Sequence, residues 1–170
     1  MPARMMVRPA RPDDAPALTA VKVASWRKAY GQIFPAEFLD SLDYPQQYWD
    51  RHLDGLVVAV NDGHVIGYCS HAAADDEGWG EIRAIYVHPR HQGQGHGSRL
   101  LASGISGLRE RGFGRALLWV IDGNNQARRF YEARGFAVGS PFRIEDIGGT
   151  QVTLVRYERD ISPVLNSASS

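Results

Sequence analysis

The sequence predicts an α/β domain with a mixed, mostly antiparallel central sheet of about six to seven strands and about four flanking helices. Three observations carry this. At 170 residues the chain can bury one substantial core and is short for two. Apolar residues recur at helical spacing in some stretches and at strand spacing in others. Hairpin-like texture from Leu56 onward gives way to strand–helix–strand segments, so antiparallel pairs are mixed with at least one crossover. The domain is expected to span residues 1–161, with 162–170 as a loose tail.

Met6 to Ala10 reads as a short first strand. Pro12, Asp13 and Asp14 supply an N-cap and an acidic first turn for a helix to about Tyr30, with Leu18, Val21 and Ser25 as its buried stripe. A second helical stretch is expected from Pro45 to Leu53, carrying Tyr48 and Trp49. The run Leu-Val-Val-Ala-Val from Leu56, a turn at Asn61-Asp62-Gly63 and the segment Val65 to Ala73 form a hairpin. Another strand, Glu81 to His88, ends at Pro89. Leu100, Leu101, Ile105 and Leu108 then recur at helical spacing until Gly112. Ala116 to Ile121 is a strand. Asn124 can cap a helix whose Ala127, Phe130, Tyr131 and Arg134 share a face, with Gly135 and Phe136 ending it. Two last strands, about Phe136 to Ile144 and Thr150 to Arg159, meet at a turn near Gly148-Gly149.

Composition excludes several classes. Hydrophobic residues make up 44% and charged residues 22%, the balance of a globular protein, with no apolar run of membrane-span length. Nineteen basic residues balance nineteen acidic ones, so nothing draws the chain broadly to nucleic acid or to a membrane surface. One cysteine, Cys69, leaves no disulfide framework and no cysteine-based zinc site, and it reads as core filler. No histidine pair has metal-site spacing with a supporting carboxylate, so no metal is expected. With no signal-peptide core in Met1 to Arg8, the expected location is cytoplasmic.

The segment Arg90-His91-Gln92-Gly93-Gln94-Gly95-His96-Gly97-Ser98 lies between a strand and a helix. Glycine at every second position lets consecutive backbone N–H groups turn toward one point, where the helix dipole adds positive potential. Its natural guest is a phosphate or pyrophosphate. A nucleotide P-loop needs Gly-Lys-Ser/Thr, whereas Gly97 is followed by Ser98 and Arg99. A dinucleotide-binding turn needs Gly-x-Gly-x-x-Gly, and here the third glycine arrives one residue early.

Val87-His88-Pro89, then Arg90-x-x-Gly93-x-Gly95-x-Gly97 and Leu100-Leu101, resembles the acyl-CoA signature of the GNAT superfamily of N-acetyltransferases. Asn124-x-x-Ala127-x-x-Phe130-Tyr131-Glu132, followed by Gly135-Phe136, is similar to that superfamily's next landmark. The sharp motifs occupy Glu81 to Phe136, and the order of elements agrees from the first strand to about residue 160. The resemblance implies the acyl-CoA N-acyltransferase fold and acetyl-CoA as co-substrate. It implies that the amides of Gly93, Gln94, Gly95, His96, Gly97 and Ser98 hold the CoA pyrophosphate. The backbone of Ile85, Tyr86 and Val87 would pair with the pantetheine arm, with Asn124 and Tyr131 completing the cofactor site. His96 departs from the pattern, which usually has an apolar residue there.

The implied reaction is direct attack of a primary amine on the thioester. It needs a base for an amine of pKa about 10, an oxyanion donor, and help for a thiolate of pKa about 8.5 to leave. Tyr131 matches the superfamily's proton donor to sulfur, and it can also be read as a core aromatic beside Phe130. A backbone N–H near Tyr86 or Val87 would meet the oxyanion. Glu81 matches a position where some relatives carry the base, and it can equally be a solvated strand-end charge. His71, His88, Asp75, Asp76 and Glu37 are further candidates. Relatives that place the base on the next strand have Glu where this chain has Trp119.

By the same resemblance the acceptor pocket falls at about Trp26 to Trp49, with Trp26 and Tyr30 as substrate-binding candidates. Its aromatics, interspersed with Glu37, Asp40 and Asp43, would suit a cationic amine, or they simply pack two helices onto the sheet. Ser25 to Tyr30 resembles bacterial small-molecule members. The expectation is an N-acetyltransferase of small amines, which admits a homodimer. The alternatives are a CoA-binding sensor or partner module without turnover, and acetylation of a protein amine.

Overall fold

The computed structural model describes residues 4–163, so residues 164–170 of the expected tail lie outside the described residues. The strands are β1 (Met5–Pro9), β2 (Leu56–Asn61), β3 (His64–Ala73), β4 (Gly80–Val87), β5 (Arg115–Ile121), β6 (Ala137–Val138), β7 (Arg143–Ile147) and β8 (Thr150–Asp160). The helices are α1 (Ala15–Tyr30), α2 (Ala36–Asp40), α3 (Gln46–His52), α4 (His96–Glu110) and α5 (Asn125–Glu132). The strands form one sheet in the order β1-β2-β3-β4-β5-β8-β6, with β7 also on β8. Every pairing is antiparallel except β4 with β5.

Helices cover both faces. Leu18 and Val21 of α1 are buried against Val58, Val60 and Tyr68, and Trp49 of α3 joins that cluster. On the opposite face, Leu100, Leu101, Ile105 and Leu108 of α4 pack on Ala59, Ile66, Ile82, Ala116 and Leu118. Each such leucine contributes about 1.5–3 kcal/mol by leaving water. Cys69 is buried in this second cluster, and burial pushes its thiol up to about 12, as inert filler requires.

Two expectations needed correction. Among the described residues there are eight strands and five helices, more than the sequence suggested, because α2 is only five residues long and shows no helical period. The single strand expected from Phe136 to Ile144 is two, β6 and β7, broken around Gly139-Ser140-Pro141, where proline has no N–H for the ladder.

The break that matters for function lies between β4 and β5. Their parallel pairing has only two registered pairs, Gly80 with Ala116 and Glu81 with Leu117, although β4 runs on to Val87 and β5 to Ile121. Beyond those pairs the strands diverge, and the β4 edge from Ile85 to Val87 lines a cavity. A register shift against β3 between Ser70 and His71 leaves Arg83 as the extra residue of β4, a bulge just after the last pairing with β5.

Candidate active site

The cavity in this cleft measures about 350 Å³. One wall is Ser25, Ala29 and Tyr30 of α1, and another is Ile85, Tyr86 and Val87 of β4. The loop before α4 contributes Gln92, Gly93 and Gly95, α4 itself His96, Gly97 and Ser98, and the far side runs from Asn124 through Phe130 and Tyr131 to Arg134. The structure therefore brings together Tyr30, Ile85, Tyr86, Val87, Gly93, Gly95, His96, Gly97, Ser98, Asn124 and Tyr131 from among the residues singled out in the sequence. Gln94, Glu81 and Trp26 do not line it.

The glycine loop closes onto the first turn of α4. Gly95 occupies the N-cap position with φ of 86° and Gly93 has φ of 77°, a region that side chains disfavour. A Cβ on either would meet nothing within 4 Å, so both face open space in front of the helix N-terminus. Among the described residues no aspartate or glutamate lines the cavity. Free N–H groups, the positive end of a 15-residue helix and the lack of lining carboxylates suit an anion such as a phosphate. His96, the odd residue of the motif, is buried, with Nδ1 at 2.9 Å from Met5 Sδ and Nε2 at 3.3 Å from Gln94 Oε1. It fills the place of an apolar residue.

Helix α5 is positioned from both ends. The Asn124 side chain accepts from the Ala127 N–H at 3.2 Å and donates to the Tyr30 hydroxyl at 3.2 Å. At the other end, Phe136 N–H donates to the Tyr131 carbonyl and Gly135 N–H to the Glu132 carbonyl, the paired bonds of a Schellman stop. The rings of Tyr131 and Phe136 lie 5.8 Å apart, the hydrophobic contact that accompanies such a stop. Tyr131 is 8% exposed, and among the described residues its hydroxyl has no hydrogen-bond partner. Burial, with smaller contributions from Cys69 and Tyr30, raises its pKa, so the phenol keeps its proton at neutral pH.

Glu81 sits at the root of the cleft, opposite Leu117. Its side chain is 20% exposed, with Arg83 Nε at 4.0 Å. Burial raises its pKa, while Arg83 and Arg143 oppose the rise and Asp75 adds to it. The aromatics of α1, the following turn and α2 pack on one another: Trp26 edge-on to Tyr30 at 4.7 Å and against Phe34 at 5.6 Å, and Phe34 against Phe38 at 5.2 Å. Trp26 Nε1 donates to the Tyr86 hydroxyl at 2.9 Å. The Val87 carbonyl accepts from Ser25 Oγ at 3.3 Å and from Gln92 Nε2 at 3.1 Å, tying α1 and the glycine loop to β4. Ser25, Gln92, Phe130 and Arg134 line the cavity without having been singled out as site residues. Only the shared face of Phe130 and Arg134 with Tyr131 hinted at it. Among the described residues no group of three metal-ligating side chains could hold an ion, and no helix is long and apolar enough to cross a membrane.

A family model described as the acetyltransferase (GNAT) family matches residues 23–136. The uncharacterized N-acetyltransferase YuaI of Bacillus subtilis (strain 168) is 37% identical over 134 residues, covering 75% of this chain and 77% of its own. A mycothiol acetyltransferase of Acidimicrobium ferrooxidans is 30% identical over 145 residues, covering 76% of this chain but 46% of its own. Among solved structures, PaiA N-acetyltransferase from Thermoplasma acidophilum in complex with coenzyme A superimposes with a TM-score of 0.76. That match has 20% identity and covers 92% of this chain and 99% of the other, which establishes the shared fold.

Proposed function

Because the chain belongs to the acetyltransferase (GNAT) family and is an acetyl-CoA-dependent N-acetyltransferase, we propose that its acceptor is the primary amine of a small molecule. The observation that carries the site assignment is the open, carboxylate-free space in front of Gly93, Gly95 and the N-terminus of α4, continuous with the hydroxyl-bearing side of α5. The cradle fits the CoA pyrophosphate, held by amides of Gly93 to Ser98. From there the edge of β4 that β5 leaves uncovered runs inward, so the backbone of Ile85 to Val87 receives the pantetheine arm. Asn124 orients α5 beside it.

Bound acetyl-CoA supplies an acetyl group activated as a thioester. Around it, on this reading, a β4 backbone N–H near Tyr86 or Val87 donates to the developing oxyanion. Tyr131, protonated at neutral pH and without a hydrogen-bond partner among the described residues, donates its phenolic proton toward the departing sulfur. Glu81, at the root of the cleft and with a raised pKa, accepts the amine proton directly or through water. Trp26 and Tyr30 shape the acceptor side, Tyr30 by lining the cavity and Trp26 by fixing the Tyr86 hydroxyl.

A small acceptor is favoured by the name of the mycothiol acetyltransferase relative. The test is release of free CoA thiol from acetyl-CoA with a panel of small primary amines, run beside peptides with free N-termini and lysines. Turnover with small amines that exceeds turnover with every peptide supports the proposal. Turnover with peptides alone overturns the acceptor assignment, and CoA binding without turnover on either panel would leave a binding module.

A further inference from the structure

Among the described residues, Arg134 is the single Arg or Lys that lines the cavity. Its guanidinium is fixed on three sides. Nε and Nη2 donate to the Ser98 hydroxyl at 2.9 and 2.6 Å, Nη1 donates to the Phe130 carbonyl at 2.8 Å, and the group lies over the Phe130 ring at 3.8 Å from its centroid. Ser98 belongs to the first turn of α4, so these bonds hold the charge beside the glycine cradle. Among the described residues no carboxylate lies within ion-pair distance of Arg134. Each Nη keeps a second N–H to donate. A pre-oriented guanidinium with free donors and no counter-ion, at the rim of an anion-binding cavity, lacks only the anion.

We propose that Arg134 is a phosphate ligand for the cofactor, supplying the full positive charge that backbone amides and a helix terminus lack. The inference rests on the reading that this cavity takes acetyl-CoA. Two phosphates of CoA present the same chemistry, the pyrophosphate and the ribose 3′-phosphate. Arg134 binds whichever lies against the first turn of α4, and the two are separable by ligand.

The experiment is titration calorimetry of the full chain with CoA, 3′-dephospho-CoA and pantetheine, on the wild type, Arg134→Gln and Arg134→Lys, with melting curves as a check on folding. Arg134→Gln is expected to weaken CoA binding about tenfold or more, the scale of one charge-assisted bond, and to leave pantetheine unchanged. It is also expected to flatten the salt dependence of CoA binding, and Arg134→Lys should recover part of the loss. An equal loss for dephospho-CoA assigns the pyrophosphate, and no loss assigns the 3′-phosphate. CoA affinity within about twofold of wild type in Arg134→Gln overturns the inference, as does an equal loss for pantetheine. Failure of the wild type itself to bind CoA would instead overturn the reading on which the inference rests.

Discussion

Asn124 donates its side-chain amide to the Tyr30 hydroxyl at 3.2 Å, joining the start of α5 to the end of α1 across the cavity. The same side chain caps α5, so one residue serves both helix stability and cavity shape. Asn124→Ala is expected to lower stability by about 0.5–2 kcal/mol through the lost cap and to weaken cofactor binding. Tyr30→Phe removes only the cross-cavity bond, with an expected cost of about 0.5–1.5 kcal/mol. Denaturation and CoA titration of both variants check this. If Tyr30→Phe matches wild type in both, the bond contributes nothing beyond the cap.

Gly95→Val places a branched side chain at φ of 86° and into the open space before α4. The expected outcome is a folded protein with a lowered melting temperature and no measurable CoA binding. Circular dichroism and calorimetry read the two effects separately. Unimpaired binding would place the pyrophosphate elsewhere.

His71 is buried, its Nδ1 has no hydrogen-bond partner among the described residues, and its ring lies against the α4 face at Gly107. Burial and the nearby Arg111 lower its pKa, against weaker opposing effects of Asp54 and Glu110. The unfolded chain then binds more protons than the folded one below about pH 6.5, so stability is full above that value. It is lost as pH falls through the folded pKa. Urea unfolding from pH 7.5 to 5 should show the decline, and His71→Leu should flatten it. An unchanged slope in the variant would assign the acid sensitivity to other groups.

If Glu81 is the base, activity requires its carboxylate. Because its pKa is raised, the acid limb of kcat/KM should fall at a pH above the ordinary carboxylate value. Glu81→Gln should lower kcat and abolish that limb. A variant that keeps both wild-type rate and acid limb would make Glu81 a solvated strand-end charge.

Much of the fold was legible because local signals coincided with tertiary needs. The Leu100–Leu108 stripe is the buried face of α4, and Asn124 with Gly135 bounds α5 by the hydrogen bonds their residue types suggest. The glycine turn before α4 was legible because its left-handed backbone at Gly93 and Gly95 favours glycine. Helix α2 was not, since five residues carry no period, nor was the split between β6 and β7. Arg134 was read only as sharing a face with Tyr131; it lies in the turn that ends α5, and only the tertiary fold brings that turn beside Ser98. The ring contacts of Trp26 with Tyr30 and Phe34, outside the lining of the cavity, were not legible either. Side-chain direction in an aromatic-rich helix depends on what it meets.

The most direct test of the account is kcat for thiol release from acetyl-CoA with a small primary amine, measured for wild type and Tyr131→Phe alongside the Kd for CoA. The phenol is expected to act on the leaving sulfur and not on binding, so the variant should lose about tenfold or more in kcat at unchanged Kd. Equal kcat, or a loss confined to Kd, would contradict it.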